Sequence, residues 1–187
     1  MALSFANKIT IFRIVLVPVF IAVVLYYRPD KDYLRFVALG IFMFAIISDI
    51  IDGYIARTRH QKTKAGAILD PLADKLLVMS AFICLYKVGI FFQHVHFPAW
   101  LVIAVISRDT ILLLGVMIVY IFQSFTIEPS LWGKAAIFLQ IACIIGVLLQ
   151  WSQTTYLWIP TLVLAGVSGV DYMRKAIKIL NNPEAKR

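Results

Sequence analysis

The fold class that this sequence predicts is an all-α integral membrane protein, a bundle of six transmembrane helices. Three observations carry that expectation. Of the 187 residues, 61% are hydrophobic and 15% charged, and the mean hydropathy is +0.87, far more apolar than a soluble domain of this length. The apolar residues gather into runs of about 20, the length of a helix that crosses the hydrocarbon core of a bilayer. The connections are short, with breakers such as Arg28-Pro29-Asp30 and Glu128-Pro129, and no internal repeat or low-complexity tract interrupts the pattern. Residues 1–187 therefore read as one helical membrane domain.

The first run, Ile9 to Tyr27, does not resemble a cleaved signal peptide, because Arg13 interrupts its start and no small-x-small site follows it. The second, Tyr33 to Arg57, carries two acids near its end. The third, Leu69 to Tyr86, carries two near its beginning. The fourth, Pro98 to Phe122, contains Arg108 and Asp109. The fifth runs from Lys134 to Trp151 and the sixth from Tyr156 to Arg174, with Asp171 near its end and a possible i, i+3 contact to Arg174. Trp100, Trp132, Trp151 and Trp158 fall near the span ends, as an interfacial aromatic belt requires.

Six crossings leave both termini on one side. That side would hold Lys8, Arg13, Arg57, Arg59, Lys62, Lys64, Lys134 and the basic tail from Arg174 to Arg187, against only Arg28, Lys31, Arg35 and Lys87 opposite. The positive-inside rule then puts the termini in the cytoplasm and the protein, as a multi-pass chain, in the cytoplasmic (inner) membrane. The net charge of +8 comes from basic residues scattered between apolar runs. It argues for contact with anionic membrane lipids and against a nucleic-acid partner. Cys84 and Cys143 lie inside apolar runs without a CxxC spacing and read as small buried residues. His94 and His96 form an H-x-H without a further ligand, which reads as a solvated loop on the non-cytoplasmic side.

The chemistry concentrates between Asp49 and Asp74. Asp49 and Asp52 are spaced i, i+3, and Asp70 and Asp74 i, i+4. On helices each pair shares a face, and a short turn between the helices would bring the pairs together. Four facing carboxylates repel unless cations lie between them, and acids at a membrane edge are expensive to desolvate. Hard oxygen donors suit Mg²⁺, Mn²⁺ or Ca²⁺ rather than zinc, so the stretch reads as a two-metal site. Gly53 and Ala56 keep the surface beside Asp52 small, and Arg57 follows at headgroup depth with a guanidinium suited to phosphate. The alternative for the small residues, Gly66 included, is tight helix packing. Packing does not explain four acids.

The spacing D-x2-D-G-x2-A-R-x8-G-x3-D-x3-D, filled by Asp49, Asp52, Gly53, Ala56, Arg57, Gly66, Asp70 and Asp74, resembles the signature of the CDP-alcohol phosphatidyltransferase family at all eight specified positions. The opening Asn7-Lys8-Ile9-Thr10-Ile11-Phe12-Arg13 is similar to the N-x-x-T-x-x-R start of many members. The resemblance implies a six-helix fold of that family's type and a reaction with CDP-diacylglycerol. An acceptor hydroxyl attacks the phosphorus next to diacylglycerol and CMP leaves. It further implies that Asp49 and Asp70 bridge two divalent ions, Mg²⁺ or Mn²⁺, that Asp52 completes one site, and that Asp74 completes the other and accepts the hydroxyl proton. Asn7, Thr10, Gly53, Ala56, Arg57, Thr63 and Gly66 would hold the CDP-lipid, and the protein would be a homodimer. Elementary chemistry agrees: two cations about 4 Å apart can stabilise a reacting phosphoryl group and its leaving group together.

The expected acceptor is glycerol 3-phosphate, its phosphate clamped by Arg108 and Lys134. Family members using it commonly show Arg-Glu in the fourth span and Gly-Lys-x-Lys-Thr at the fifth. This chain has Ser107-Arg108-Asp109 and Gly133-Lys134-Ala135-Ala136-Ile137, and Ser-Arg-Asp is more similar to the family's cardiolipin synthases, whose acceptor is phosphatidylglycerol. A charge inside a span costs roughly 3 kcal/mol or more, so Arg108 needs a partner, and Asp109 or Asp171 could be a structural one. Lys134 could equally be an interfacial anchor, and Lys75 reads as snorkelling to the surface. Two other classes would leave different marks. A divalent-cation transporter would place acids near mid-membrane in several spans, and an intramembrane prenyltransferase would show paired D-D-x-x-D-like motifs, which are absent.

Overall fold

The computed structural model describes the backbone of residues 5–58, 66–123 and 131–181, and side chains over residues 12, 14–51, 75–115, 117 and 131–175. Apolar runs must satisfy their own backbone groups wherever water is excluded, and helices do so internally. The described residues form α1 (Phe5–Leu25), α2 (Tyr33–Thr58), α3 (Gly66–Val88), α4 (Ala99–Gln123), α5 (Leu131–Leu148) and α6 (Trp158–Asn181), with short 3-10 turns at Pro29–Lys31, Gly89–Phe91 and Ser152–Leu157. No strand occurs among them. The all-helical class is as expected. Two helical stretches in the described residues, Tyr33–Ile51 and Leu131–Leu148, are long and apolar enough to cross a membrane.

The chain divides into two compact units, Met1–Phe97 with Ile144–Ser152 and Pro98–Cys143 with Gln153–Arg187. In the first unit α1 packs along both α2 and α3. Phe20 of α1 lies against Phe42 of α2 with ring centroids 5.8 Å apart, and Phe12 meets Phe44 edge-on at 6.0 Å. Phe82 of α3 stacks on Phe97 at 4.5 Å. Gly89 closes α3 where the chain doubles back: a Cβ there would sit 2.9 Å from the His96 Cβ, so no larger residue fits without movement. His94 and His96 are exposed, as expected of a loop.

α5 stops three residues before the expected Trp151. Gln150 adopts a left-handed conformation with φ 55°, its N–H donates to the Val147 carbonyl at 3.0 Å, and the Trp151 N–H reaches the Gly146 carbonyl at 2.9 Å. This pairing ends a helix by capping its last carbonyls, normally with glycine at the left-handed position. The Gln150 side chain offsets the strain. Its Oε1 accepts from the backbone N–H of His94 at 3.1 Å and of Val95 at 3.4 Å, and its Nε2 donates to the carbonyls of Val95 and Val147 at 3.0 and 2.8 Å.

In the second unit α4 packs on α6, burying Leu101, Val105 and Ala165. Trp100 meets Trp158 edge-on at 6.4 Å. Thr161 donates to the carbonyl of Leu157, the residue just before α6, at 2.7 Å, and meets the Cys143 sulfur at 3.4 Å. Cys84 and Cys143 are free and buried, as their setting in apolar runs implied.

Candidate active site

The signature acids fall on two helices of the same unit. Asp49, Asp52, Gly53, Ala56 and Arg57 occupy the last ten residues of α2, and Gly66, Asp70 and Asp74 the first nine of α3. With about 100° and 1.5 Å per residue, positions 49 and 52 lie about 60° apart around the axis of α2, and positions 70 and 74 about 40° apart around that of α3. Both helices rest on α1, and the chain from Thr58 to Gly66 can reach no further than about 29 Å. The C-terminal part of α2 and the N-terminal part of α3 are thus tied together. Arg57 stands in the last turn of α2, where a cation complements the negative end of the helix dipole.

Asp70 is followed by Pro71 inside α3, a pairing that normally disfavours helix at the residue before proline. Pro71 also has no N–H to give the Ala67 carbonyl. A local rule broken beside an acid pair is the pattern expected where a binding site takes precedence over regularity.

Asp49 is half-buried, as is Lys75 beside Asp74. The side chains of Asn7, Thr10, Asp52, Gly53, Ala56, Arg57, Gly66, Asp70 and Asp74, and all of Thr63, lie outside the described residues. Among the described residues no group of three or more His, Cys, Asp or Glu could hold a metal ion. The donor set nonetheless fits hard divalent cations: four carboxylates on two helices that share a third as support, with no cysteine or methionine in the stretch.

The expected acceptor residues belong to the second unit. Arg108 has a side chain 9% exposed, and Asp109 beside it is fully buried. The guanidinium Nη1 donates to Asp109 Oδ1 and Nη2 to the Ser168 hydroxyl of α6. Asp109 is therefore the buried partner of Arg108, while Asp171 pairs with Lys175 one turn on, at 3.0 Å. Ser168 was not legible as a partner, because nothing in Val167-Ser168-Gly169 distinguishes it from a packing residue. Arg108 keeps one donor in hand: its Nε is buried without a partner among the described residues. The same arginine borders a cavity of about 330 Å³ lined by Ile111, Leu112, Gly115, Gly166 and Tyr172 among others. Added Cβ atoms at Gly115 and Gly166 would meet open space, so these glycines widen the cavity rather than permit close helix contact. Lys134, in the first turn of α5, is exposed.

Comparison with known proteins extends this chemistry. The sequence profile of CDP-alcohol phosphatidyltransferase matches residues 3–166, a stretch that runs through both units. A probable phosphatidylglycerophosphate synthase of Mycobacterium tuberculosis (strain CDC 1551 / Oshkosh) is 32% identical over 183 residues, covering 94% of this chain and 82% of the relative. A CDP-diacylglycerol–glycerol-3-phosphate 3-phosphatidyltransferase of Aquifex aeolicus is 31% identical over 93% of this chain and 96% of its own. The Bacillus subtilis protein of the same name is 34% identical over 77% and 76%. With the eight signature positions in place on α2 and α3 and the family profile covering most of its length, the chain belongs to the CDP-alcohol phosphatidyltransferase family.

Proposed function

We propose that this chain transfers the phosphatidyl group of CDP-diacylglycerol to glycerol 3-phosphate, releasing CMP and forming phosphatidylglycerophosphate. The observation that carries the reading is the placement of Asp49, Asp52, Asp70 and Asp74 on the tied ends of α2 and α3. The naming of the relatives from three bacteria supports the choice of acceptor. Membership of a transferase family removes the cation-transport reading.

The four aspartates would hold two divalent cations, Mg²⁺ or Mn²⁺, which when bound supply charge neutralisation for the pyrophosphate of the CDP-lipid. Gly53, Ala56 and Gly66 leave room for the nucleotide, and Arg57 offers a two-pronged contact to its phosphates. Asn7, Thr10 and Thr63 complete the CDP-lipid contacts. Asp74 takes the proton of the acceptor hydroxyl as its oxygen bonds to the phosphorus next to diacylglycerol and the bond to CMP breaks. Arg108 and Lys134 hold the acceptor phosphate. The six helices cross the cytoplasmic membrane with both termini and the acids on the cytoplasmic side, the whole chain acts as one domain, and two copies form a homodimer. Large exposed apolar residues along the helices, among them Ile50, Ile103 and Phe138, support the membrane placement.

A second acceptor is favoured by one observation. Apart from Arg108 and the Tyr172 ring, the cavity is walled by Ile111, Leu112, Val170, Met173 and small residues, which suits an acceptor with acyl chains, such as phosphatidylglycerol, better than a small sugar phosphate. Purified protein given CDP-diacylglycerol, Mg²⁺ and either glycerol 3-phosphate, phosphatidylglycerol, inositol phosphate or serine decides between them. CMP release and phosphatidylglycerophosphate are expected with glycerol 3-phosphate alone. Cardiolipin as the main product would overturn the acceptor, and transfer unaffected by chelation would overturn the metal reading.

A further inference from the structure

Both terminal nitrogens of Arg108 are engaged. Nη1 donates to Asp109, the next residue of its own helix, and Nη2 to Ser168 across on α6, while Nε is buried. Asp109 and Ser168 are themselves fully buried. The stem of the side chain lies along Gly169: a Cβ there would meet Arg108 Cγ at 4.0 Å, an ordinary contact. Arg108 is thus parked between a carboxylate of α4 and a hydroxyl of α6, with a partner on each terminal nitrogen.

That arrangement bears on how Arg108 takes an acceptor phosphate, the role proposed above and the reading on which this inference rests. A guanidinium grips a phosphate best through two N–H groups on one edge. It has two such edges, Nε with Nη2 and Nη2 with Nη1, and Nη2 belongs to both. A two-pronged grip therefore draws on the nitrogen that Ser168 holds. The two existing bonds are unequal. Asp109 supplies the counter-charge that an arginine inside an apolar span needs, whereas the Ser168 hydroxyl is neutral and a bond to an ionised acceptor is roughly twice as strong. A phosphate thus displaces Ser168 and not Asp109. Gly115 and Gly166 leave open space beside the arginine, so the guanidinium can turn toward the cavity, where Tyr172 is the only other polar side chain among the described lining residues. We propose that Ser168 sets the affinity for the acceptor by holding Arg108 Nη2 until the acceptor phosphate replaces it. Ser168 is a positioning residue, acting through Arg108 alone. Without its hydroxyl Nη2 is left buried and unpaired, which raises the free energy of the parked arrangement and not of the phosphate-bound one. The acceptor then binds more tightly.

The test is initial-rate kinetics of the full chain in detergent micelles with CDP-diacylglycerol, Mg²⁺ and varied glycerol 3-phosphate. Ser168→Ala should lower the KM for glycerol 3-phosphate about tenfold, the factor of one hydrogen bond to a charged group, and leave the KM for CDP-diacylglycerol unchanged. Ser168→Cys is close in size and a weaker acceptor; it should shift the KM in the same direction and covers the case in which alanine leaves a void that unfolds the protein. Ser168→Thr keeps the hydroxyl and should keep the wild-type KM. In an Arg108→Ala background Ser168→Ala should change nothing, because the nitrogen it frees is gone. A rise in acceptor KM with Ser168→Ala and Ser168→Cys would make the hydroxyl a support that aims Arg108. An unaltered KM, or a fall that persists without Arg108, would make Ser168 a packing residue. Each of these overturns the proposal. Wild-type protein that transfers nothing to glycerol 3-phosphate overturns the acceptor reading and this proposal with it, a result distinct from normal transfer with an unmoved KM.

Discussion

The acids of α2 and α3 and the ion pair of α4 are two solutions to the same difficulty, charge placed among apolar residues. In α4 the charges have opposite sign, and the fold closes the account locally: Asp109 takes one guanidinium nitrogen of Arg108 and Ser168 of α6 another. Along α2 and α3 four acids recur within 26 residues that also hold Arg57, Arg59, Lys62 and Lys64, and the acids come as two pairs spaced to share a helix face rather than each beside a base. A pair of opposite charges can be purely structural. Paired carboxylates on two helices are a donor set that suits divalent cations with a nucleotide pyrophosphate.

The largest expected effect tests the outside-cation half of that contrast. Asp74→Asn should lower turnover by about 10²–10⁴-fold, the usual worth of a positioned base, while binding of CDP-diacylglycerol, followed by equilibrium titration, stays within a few-fold. Equal loss of both would make Asp74 a ligand rather than the base.

The local half is tested by stability. Asp109→Ala leaves Arg108 buried without its counter-charge and should cost about 3–5 kcal/mol in unfolding measurements, whereas exchanging both partners, Arg108→Met with Asp109→Leu, should recover most of it. A loss below 1 kcal/mol for Asp109→Ala would show that the pair is not structural. Arg108→Ala sharpens the comparison, since Arg108 also borders the cavity and its Nε has no partner among the described residues. Its acceptor KM should rise about tenfold or more, the worth of a charged hydrogen bond, with CDP-lipid KM unchanged. An unchanged acceptor KM in a protein that still folds would return Arg108 wholly to structure.

The smallest effect belongs to Asp32, half-exposed and outside the helices. The Arg35 side chain bonded to it holds its carboxyl below the usual range, so the charged form is favoured by folding. The stabilisation is present above the unfolded-state pKa near 4 and is lost as pH falls through the lower folded-state value. Asp32→Asn should flatten that acid limb by less than about 1 kcal/mol, solvent having screened most of the pair. A wild-type limb that the substitution leaves unaltered would show that the ion pair contributes nothing in solution.

The positions of the helices were legible because they follow from contiguous chemistry. The predicted run Tyr33 to Arg57 became α2 (Tyr33–Thr58), and Pro98 to Phe122 became α4 (Ala99–Gln123). The signature was legible for the same reason, since i, i+3 and i, i+4 spacings are geometry written into the chain. The end of α5 was not, because a left-handed cap normally shows itself as glycine, and Gln150 holds the position through bonds to residues more than fifty positions away. The spread into two units was equally hidden: the family profile and the apolar runs are continuous across the boundary at Phe97.

What the amino-acid order determined by itself is the helical class, the two acid pairs on α2 and α3, and membership of a family that uses them. Tertiary structure alone decided that Arg108 answers to Asp109 and Ser168 rather than to Asp171, and that glycines open a cavity beside it. The physical reason is range. Backbone periodicity and apolar length act over a few residues and survive in a string of letters, whereas the partner of a buried charge depends on which face one helix turns to another, and helices apolar on nearly every side give no stripe from which that face can be read.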